Sequence, residues 1–239
     1  MYHLSVIIPA YNEEKKISQD IEAVFKYFSE SSINGELIII NDGSKDQTYS
    51  TASSFKTKFP SLKIITYEKN KGKGYAVKTG VLQSSGEYVL VADSGLCVPF
   101  KLANTGLELL KKGNDIALGS RRAVNDKKAK IIVQQPIYRK LGSKLFHFLL
   151  TTTSLIPKDI QDTQCGFKLF KREVAYNIFK KLITEKFMWD IEMLRIANKE
   201  KDKIAVFPVE WSNDPDTKFN PYIGSIENLL QIINIMIRT

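Results

Sequence analysis

Short apolar runs that alternate with amphipathic stretches dominate the first half of the chain. Five of these runs are rich in β-branched residues and almost continuously apolar, which is typical of strands covered on both faces. They are residues 4–10, 36–42, 62–68, 87–93 and 115–121. Residues 17–28, 74–83 and 100–111 lie between them and carry apolar side chains at helical spacing. This order predicts an α/β fold with a Rossmann-like, mostly parallel sheet flanked by helices.

The second half of the chain is less regular. Residues 166–172 and 203–211 are predicted as strands, and four helices are predicted at residues 138–150, 173–182, 188–199 and 225–237. No internal repeat or linker separates independent domains. We expect one domain over residues 1–223, and a C-terminal amphipathic helix over residues 224–239 that packs on the core or lies at a membrane interface.

Composition limits the function classes. The chain has 239 residues, of which 43% are hydrophobic, enough for a sizeable core. Its net charge of +9 favours phosphorylated ligands or an anionic membrane surface. The basic residues are dispersed rather than gathered into a nucleic-acid-binding module, so we expect no nucleic-acid partner.

Location is predicted from the cysteines and the apolar runs. The two cysteines and the lack of a signal peptide favour a reducing, cytoplasmic setting. No run of about 18 apolar residues is present, so the sequence predicts that no helix spans a bilayer; if the protein works at a membrane, we expect it to lie peripherally on the cytoplasmic face.

Ligands of doubly wound sheets bind beyond the carboxyl ends of the strands, so the residues there are candidates. Pro9, Tyr11 and Glu13 close the first strand, where an ordinary acidic helix start is the alternative interpretation. Asp42 ends the second strand in what could equally be a polar turn. A carboxylate in that position can accept hydrogen bonds from a nucleobase or from sugar hydroxyls.

Two further segments follow the third and fourth strands. "NKGKGYA" contains Lys73 and opens a helix; its glycines permit close backbone approach, its lysines can meet phosphate, and a helix N-terminus favours anions. The spacing is not that of a P-loop. Asp93 ends the fourth strand as a single carboxylate, because Gly95 stands two residues further on.

These segments together carry a resemblance to a known family. "SVIIPAYNEE", "IIINDGSKDQT", "NKGKGYAVKTG" and the strand ending at Asp93 resemble, in order and spacing, the nucleotide-sugar half of family 2 inverting glycosyltransferases with the GT-A fold. "GSRR", "DTQCGFKLFKR" and "FMWDIEML" are similar to segments of the dolichyl- or polyprenyl-phosphate hexose synthases. The resemblance covers roughly residues 4–211. It implies transfer of a hexose from a nucleotide diphosphate sugar, with UDP-glucose or another UDP-hexose preferred over GDP-hexose, to a lipid-linked acceptor at a membrane surface.

The resemblance also implies roles on the donor side. Pro9, Tyr11, Glu13 and Asp42 match the nucleoside pocket. Lys73 lies near the phosphates. The loop over the donor sugar contains Gln164.

Asp93 matches the first carboxylate of the family's D-x-D pair, which holds Mg²⁺ or Mn²⁺ against the donor diphosphate. The second carboxylate falls at Gly95. One carboxylate, substrate phosphates and waters can still hold Mg²⁺, so we retain a metal at Asp93. The alternatives are a metal-free site, in which Lys73 or Arg121 supplies the positive charge, and an inactive chain.

On the acceptor side, Asp190 of "MWDIE" matches the family's catalytic base, which takes a proton from an acceptor hydroxyl. A phosphate acceptor is already ionised near neutral pH, and Asp190 would then position the donor sugar or the metal. Arg121, Arg122 and Arg139 are candidates for the acceptor phosphate, because a guanidinium binds phosphate through two parallel hydrogen bonds.

Two rival functions remain open from the sequence. One is a glycosyltransferase that acts on a diacylglycerol, a saccharide or a small polar molecule. The other is a non-catalytic nucleotide-sugar-binding protein, which Gly95 and the basic surface would permit.

Overall fold

The structure is a computed structural model that describes residues 2–122, 130–131, 156–157, 159–212 and 221–238. The predicted helix at residues 138–150, with Arg139, lies outside these residues. The strands are β1 Leu4–Ala10, β2 Gly35–Asp42, β3 Leu62–Tyr67, β4 Tyr88–Ala92, β5 Ile116–Ser120, β6 Lys130–Ile131, β7 Phe167–Lys171, β8 Ile204–Pro208 and β9 Glu210–Trp211. The helices are α1 Ile17–Glu30, α2 Thr48–Ser54, α3 Lys73–Leu82, α4 Ala103–Lys111, α5 Arg172–Lys181, α6 Trp189–Glu200 and α7 Pro221–Arg238.

Seven strands form one sheet in the order β3-β2-β1-β4-β7-β5-β8. Neighbouring strands are parallel except around β7, which is antiparallel to both β4 and β5. The mostly parallel α/β sheet predicted from the sequence is therefore confirmed. The insertion of β7 between β4 and β5 was not predicted, because hydrophobic periodicity contains no information about which distant strands become neighbours.

Both faces of the sheet are covered, as the continuously apolar strands predicted. Along β1 the side chains alternate: Val6 and Ile8 pack with α1 and α4, whereas Ile7 packs with α3 and α6 on the opposite face. Each face has its own hydrophobic cluster. The strands are thereby fixed in register, and so are the loops at their carboxyl ends.

Helix α7 contributes to this core through Ile232 and Ile235, which are buried. Its other face exposes Leu230, Ile233 and Ile237. No helix in the described part of the chain is long and apolar enough to cross a membrane. The division at residue 224 stays a prediction, although the helix itself begins at Pro221.

The reversed direction of β7 matters for the site. Because β7 is antiparallel to β4, its first residue, Phe167, pairs with the last residue of β4, Ala92. The Asp93 amide donates to the Gly166 carbonyl at 3.1 Å. The segment that precedes β7 is therefore placed at the edge of the sheet where the parallel strands end.

Candidate active site

The loops after β1 and β2 are joined by hydrogen bonds between backbone amides and side chains. The Asn12 amide donates to Ser44 Oγ at 2.9 Å, and the Glu13 amide donates to Thr48 Oγ1 at 2.8 Å. In return, the Lys45 amide donates to Asn12 Oδ1 at 2.9 Å. Residues 12–16 and 45–46 line a cavity of about 400 Å³ between these loops.

The predicted nucleoside residues of the first loop lie at this edge of the sheet. Pro9 is in β1, Tyr11 follows it directly, and both are partly buried. The Glu13 carboxylate lies 2.6 Å from the Lys16 ammonium. Nucleoside binding by these residues stays a prediction.

Asp42 anchors the turn that precedes α3. Its buried carboxylate accepts hydrogen bonds from the Lys71 amide at 2.8 Å, the Gly72 amide at 2.9 Å and the Asn70 side-chain amide at 2.9 Å. Burial and the neighbouring Asp42 carboxylate raise the pKa of the Tyr67 hydroxyl, so Tyr67 is a further polar neighbour of Asp42. Asp42 is thus held rigidly by the residues around it.

The N-terminus of α3 is covered by protein backbone. The Gly74 amide donates to the Lys186 carbonyl at 3.1 Å, and the Tyr75 amide donates to the Glu185 carbonyl at 2.9 Å. A Cβ atom on Gly74 would lie 2.3 Å from the Thr184 carbonyl oxygen. The prediction that these glycines admit a phosphate to the helix N-terminus is therefore wrong, because the backbone of residues 184–186 occupies that space.

We call residues 182–187, between α5 and α6, the strap. The carboxylate of Glu192, a fully buried side chain of α6, holds the first half of the strap. It accepts hydrogen bonds from the Ile183 amide at 3.0 Å and the Thr184 amide at 2.7 Å. The strap in turn bonds the start of α3, where Lys73 is located. Glu192 therefore connects the helix that carries Asp190 with the helix that carries Lys73, a role that sequence reasoning missed.

Six charged side chains meet at the ends of β4, β5 and β7 and form three ion pairs, which we call the charged centre. The nitrogen–oxygen distances are 2.6 Å for Lys73–Asp93, 2.5 Å for Lys168–Asp190 and 2.7 Å for Arg121–Asp162. Four of these residues, Lys73, Asp93, Asp190 and Arg121, were predicted as site residues. The structure thus brings together the donor-side and acceptor-side predictions.

Asp93 stays ionised because cations surround it. Burial by itself would raise the pKa of Asp93, but the Lys73 ammonium, with Lys168 and Arg121, holds that pKa below its ordinary value. The carboxylate also lies against Gly166, where a Cβ atom would lie only 2.0 Å from Oδ2. A side chain at residue 166 would therefore displace Asp93.

Asp190 and Lys168 form a buried pair. Lys168 is 1% exposed, donates to the Cys165 carbonyl as well as to Asp190, and lies 5.1 Å from the centre of the Trp189 ring. Burial raises the pKa of Asp190, and the charge of Asp93 adds to this effect, while Lys168 and Lys73 oppose it. A carboxylate with a raised pKa is suited to general-base chemistry.

Arg121 forms the third pair through one edge of its guanidinium and through its backbone amide. Its Nε and Nη2 atoms donate to the two oxygens of Asp162 at 2.8 and 2.7 Å, and its backbone amide donates to the same carboxylate at 2.8 Å. The guanidinium also lies 5.3 Å from the centre of the Trp211 ring. These contacts make Arg121 a fixed positive charge beside Asp93, and acceptor binding by it stays a prediction.

The remaining candidates lie at the periphery. Arg122 and Gln164 are exposed at the same edge of the sheet, and their ligand roles stay predictions. Cys165 is buried, and burial raises the pKa of its thiol to about 12, so it is inert as a nucleophile.

A backbone turn stands where the family's second carboxylate would be. Asp20 of α1 is fully buried and accepts the Ser94 hydroxyl at 2.5 Å, the Gly95 amide at 2.9 Å and the Leu96 amide at 3.1 Å. Gly95 has φ of 91°, a conformation that strains any other residue. Sequence reasoning missed Asp20 because α1 is distant from this turn along the chain.

Comparison with protein families identifies the chain. The model of the family "Glycosyl transferase family 2" matches residues 5–179. The chain belongs to this family. The predicted family and enzyme class are therefore confirmed.

Relatives of this family 2 glycosyltransferase have closely related names. A dolichyl-phosphate beta-glucosyltransferase of Dictyostelium discoideum is 36% identical over 99% of the chain and 74% of its own length. The Homo sapiens protein of the same name is 35% identical over 98% of the chain and 75% of its own length.

Solved structures confirm the GT-A fold predicted for the enzyme. The glucosyl-3-phosphoglycerate synthase of Mycobacterium tuberculosis, in complex with Mn²⁺ and uridine-diphosphate-glucose, aligns with a TM-score of 0.69. That alignment covers 98% of the chain and 79% of the synthase at 18% identity.

The site of the glycosyltransferase fits a metal held by one protein carboxylate. Within the described residues, no group of three or more histidine, cysteine, aspartate or glutamate side chains could hold a metal ion. Asp93, however, is 30% exposed at the site. Diphosphate oxygens and waters can supply the other ligands that Mg²⁺ or Mn²⁺ requires.

Proposed function

We propose that this glycosyltransferase transfers glucose from UDP-glucose to a dolichyl-type polyprenyl phosphate with inversion at the anomeric carbon. The observation that carries the proposal is the similarity to two dolichyl-phosphate beta-glucosyltransferases along nearly the whole chain. The charged centre supports it, because it combines a carboxylate for a metal–diphosphate complex with a buried carboxylate, Asp190, on the facing helix.

Residues at the ends of β1 and β2 bind the donor nucleoside in this proposal. Pro9, Tyr11 and Glu13 form one wall, and Asp42 faces the base. The rigid hydrogen bonding of Asp42 to residues 70–72 supports this role, since the carboxylate is already oriented before a ligand arrives.

The diphosphate lies over Asp93 and Lys73. Asp93 would hold Mg²⁺ or Mn²⁺, which would supply positive charge for the departing nucleoside diphosphate. Lys73 contributes a second positive charge, and Gln164 contacts the sugar. Asp190 orients the sugar and its anomeric carbon.

The acceptor phosphate approaches from the side of β5. Arg122 and Arg139 bind it in this proposal, and Arg121 is a fixed charge beside Asp93. A phosphate oxygen forms the new bond to the anomeric carbon, while the bond from that carbon to the diphosphate breaks and UDP leaves. Asp190 removes a proton only when the acceptor phosphate arrives protonated.

A membrane surface is the natural place for such an acceptor. Exposed apolar residues of α7, Leu230, Ile233 and Ile237, and of the adjoining strap, Ile183 and Phe187, support peripheral membrane contact. The Met188 amide donates to Gln231 Oε1 of α7 at 3.2 Å, so the helix and the end of the strap are neighbours. The cytoplasmic side of the membrane stays a prediction.

The test is a transfer assay with radiolabelled UDP-glucose, GDP-glucose and other nucleotide sugars, using dolichyl phosphate, diacylglycerol or 3-phosphoglycerate as acceptor. We expect UDP-glucose and dolichyl phosphate to give the fastest transfer. Asp190→Asn should lower it by about 100-fold or more, the loss that misplacing a reacting group by roughly 1 Å can cause. Glu200→Gln, at the other end of the same helix, should leave it unchanged.

Two results would contradict the proposal. Transfer to diacylglycerol or to a small acceptor at a higher rate would replace the acceptor class. Nucleotide-sugar binding without turnover on any acceptor would favour the binding-protein alternative.

A further inference from the structure

Lys73 is paired with Asp93, the carboxylate expected to hold a metal. Its ammonium lies 2.6 Å from Asp93 Oδ1, and the two side chains are 26% and 30% exposed. Asp93 has no carboxylate partner at residue 95 that could hold a second cation. A metal bound to Asp93 would therefore meet the Lys73 ammonium at the same carboxylate.

Of the three cations at the charged centre, Lys73 is the one that can leave. Lys168 is 1% exposed and is held by both the Cys165 carbonyl and Asp190. Arg121 is fixed by two side-chain hydrogen bonds to Asp162. The Lys73 side chain is more exposed and lies at the first residue of α3, from which it can turn toward a ligand.

The formal charges of the charged centre indicate that a divalent cation binds together with the donor rather than before it. The charged centre contains three cations and three carboxylates, so its formal charge is zero. A divalent cation alone would add two uncompensated charges to a partly buried site, which is unfavourable. A nucleoside diphosphate that arrives with the divalent cation restores the balance and offers Lys73 new oxygens.

We propose that Lys73 is a built-in competitor of the metal: it holds Asp93 in the empty enzyme and moves to the diphosphate when the donor and the divalent cation bind together. The inference rests on the proposed function only in taking a nucleoside diphosphate as donor. It accounts for a site that works without a second carboxylate, since the metal need bind only as a complex with the donor.

The experiment measures Mn²⁺ binding to the full chain by electron paramagnetic resonance, with and without UDP. The wild-type protein should bind Mn²⁺ weakly alone and much more tightly with UDP. Lys73→Met should tighten Mn²⁺ binding without UDP by about tenfold or more. A neighbouring positive charge weakens the binding of a proton to a carboxylate by roughly 1–3 pKa units, and we expect it to weaken the binding of another cation by a similar factor. With UDP present this gain should disappear or reverse, because the variant lacks the contact to the diphosphate.

Lys71→Met is the matched control. It removes a positive charge two residues away, but this ammonium contacts Tyr75 Oη at 3.0 Å rather than Asp93. Mn²⁺ affinity without UDP should stay close to that of the wild type. Asp93→Asn should abolish the effect of UDP on Mn²⁺ binding.

Three results would overturn the inference. They are equal Mn²⁺ affinity of the wild type with and without UDP, unchanged or weaker Mn²⁺ binding by Lys73→Met alone, and an equal gain in Lys71→Met. The wild-type comparison tests the inference even if a variant does not fold. Because no acceptor is present, failure of transfer to dolichyl phosphate would contradict the proposed function without affecting this result.

Discussion

The two sides of the site hold their carboxylates in different ways. On the side that we propose binds the nucleoside, which we call the nucleoside side, Asp42 accepts hydrogen bonds from two backbone amides and one side-chain amide of residues 70–72. In the charged centre, Asp93, Asp162 and Asp190 are each paired with a lysine or arginine. The nucleoside side is therefore held by neutral dipoles, and the charged centre by opposite charges.

This difference predicts that the surroundings of Asp42 stay fixed, whereas the cations paired with the carboxylates of the charged centre can be exchanged. Backbone amides cannot move without unfolding a loop, so Asp42 keeps one geometry whether or not a ligand is bound. A lysine on a carboxylate can be replaced by another cation of suitable size and charge. The comparison predicts that changes near Asp42 affect donor affinity, whereas changes in the charged centre affect turnover, metal binding and pH dependence.

The largest effect is expected for Lys168→Met, which leaves Asp190 buried without its cation. Removing one partner of a buried ion pair destabilises a protein by about 3–5 kcal/mol. Transfer should also fall by about 100-fold or more, because the ionised form of Asp190 is no longer favoured. Urea unfolding and the transfer assay measure the two effects.

Lys171→Met provides the control on the same strand. Lys171 pairs with Asp115 at 2.9 Å, but both side chains are partly exposed, and such pairs contribute about 1 kcal/mol or less. Adding Asp190→Asn to Lys168→Met should recover stability but not activity. A Lys168→Met protein of unchanged stability would show that the buried pair does not hold the centre together.

Asp42→Asn tests the nucleoside side. The amide nitrogen of asparagine would face a donor of residues 70–72, so one hydrogen bond is lost and one backbone amide is left unsatisfied, at a cost of about 1–3 kcal/mol. We expect the KM for UDP-glucose to rise by about tenfold, since 1.4 kcal/mol corresponds to a factor of ten. The KM for dolichyl phosphate should not change; a fall in kcat with an unchanged donor KM would reverse the assignment.

A smaller effect is expected for Gly74→Ala, which tests the strap. The new Cβ would lie 2.3 Å from the Thr184 carbonyl and 2.9 Å from the Lys186 carbonyl, so the strap must shift away from Lys73. We expect kcat to fall by about three- to tenfold, the result of roughly 1 kcal/mol of misplaced transition-state contacts.

Gly113→Ala is the control for Gly74→Ala, because it adds backbone strain without a steric contact. Gly113 has φ of 100° with open space around it, so alanine there is strained without touching the site. It should cost about 1 kcal/mol of stability and leave kcat unchanged. Equal losses of kcat in both variants would show that the strap does not position Lys73.

Local sequence patterns predicted the positions of strands and helices better than they predicted which strands become neighbours in the sheet. The bounds of β1 were predicted to the residue, because the apolar run is limited by a polar residue at one end and a turn at the other. Helix α2 was not predicted, since "TYSTASS" has neither apolar periodicity nor strong helix formers. The place of β7 in the sheet depends on contacts between strands that are distant in sequence.

The sequence likewise predicted those site residues that lie at the ends of strands and helices, but not those whose partners are distant along the chain. Asp93, Lys73 and Asp190 were found because they lie at strand and helix ends within recognisable segments. Lys168 and Asp20 were missed, since a charged residue in a strand or a helix predicts solvent exposure unless its partner is known. Each has its partner more than twenty residues away along the chain.

The smallest effect is a shift in pH dependence. Asp190 must be unprotonated to orient the sugar as a carboxylate or to take a proton from a protonated acceptor phosphate, so kcat/KM should fall as the pH is lowered through the pKa of Asp190. Burial raises this pKa above the ordinary aspartate value of about 3.9. The pKa values of Asp93 and Asp162 are lowered, because Lys73 and Arg121 outweigh the effect of burial, so these carboxylates remain charged to lower pH.

The acid limb of the pH profile is therefore assigned to Asp190. The stability contributed by the Arg121–Asp162 pair is complete above the pKa that Asp162 has in the unfolded chain. It is lost only as the pH falls through the lower pKa that Asp162 has in the folded protein. Measuring kcat/KM and urea stability over the same pH range should show activity lost before stability. Asp190→Glu should move the activity limb, while the pH at which the stability from the Arg121–Asp162 pair is lost should stay the same, because that pair is unchanged. Loss of both at one pH would show that acid inactivates the enzyme by opening the charged centre rather than by protonating Asp190.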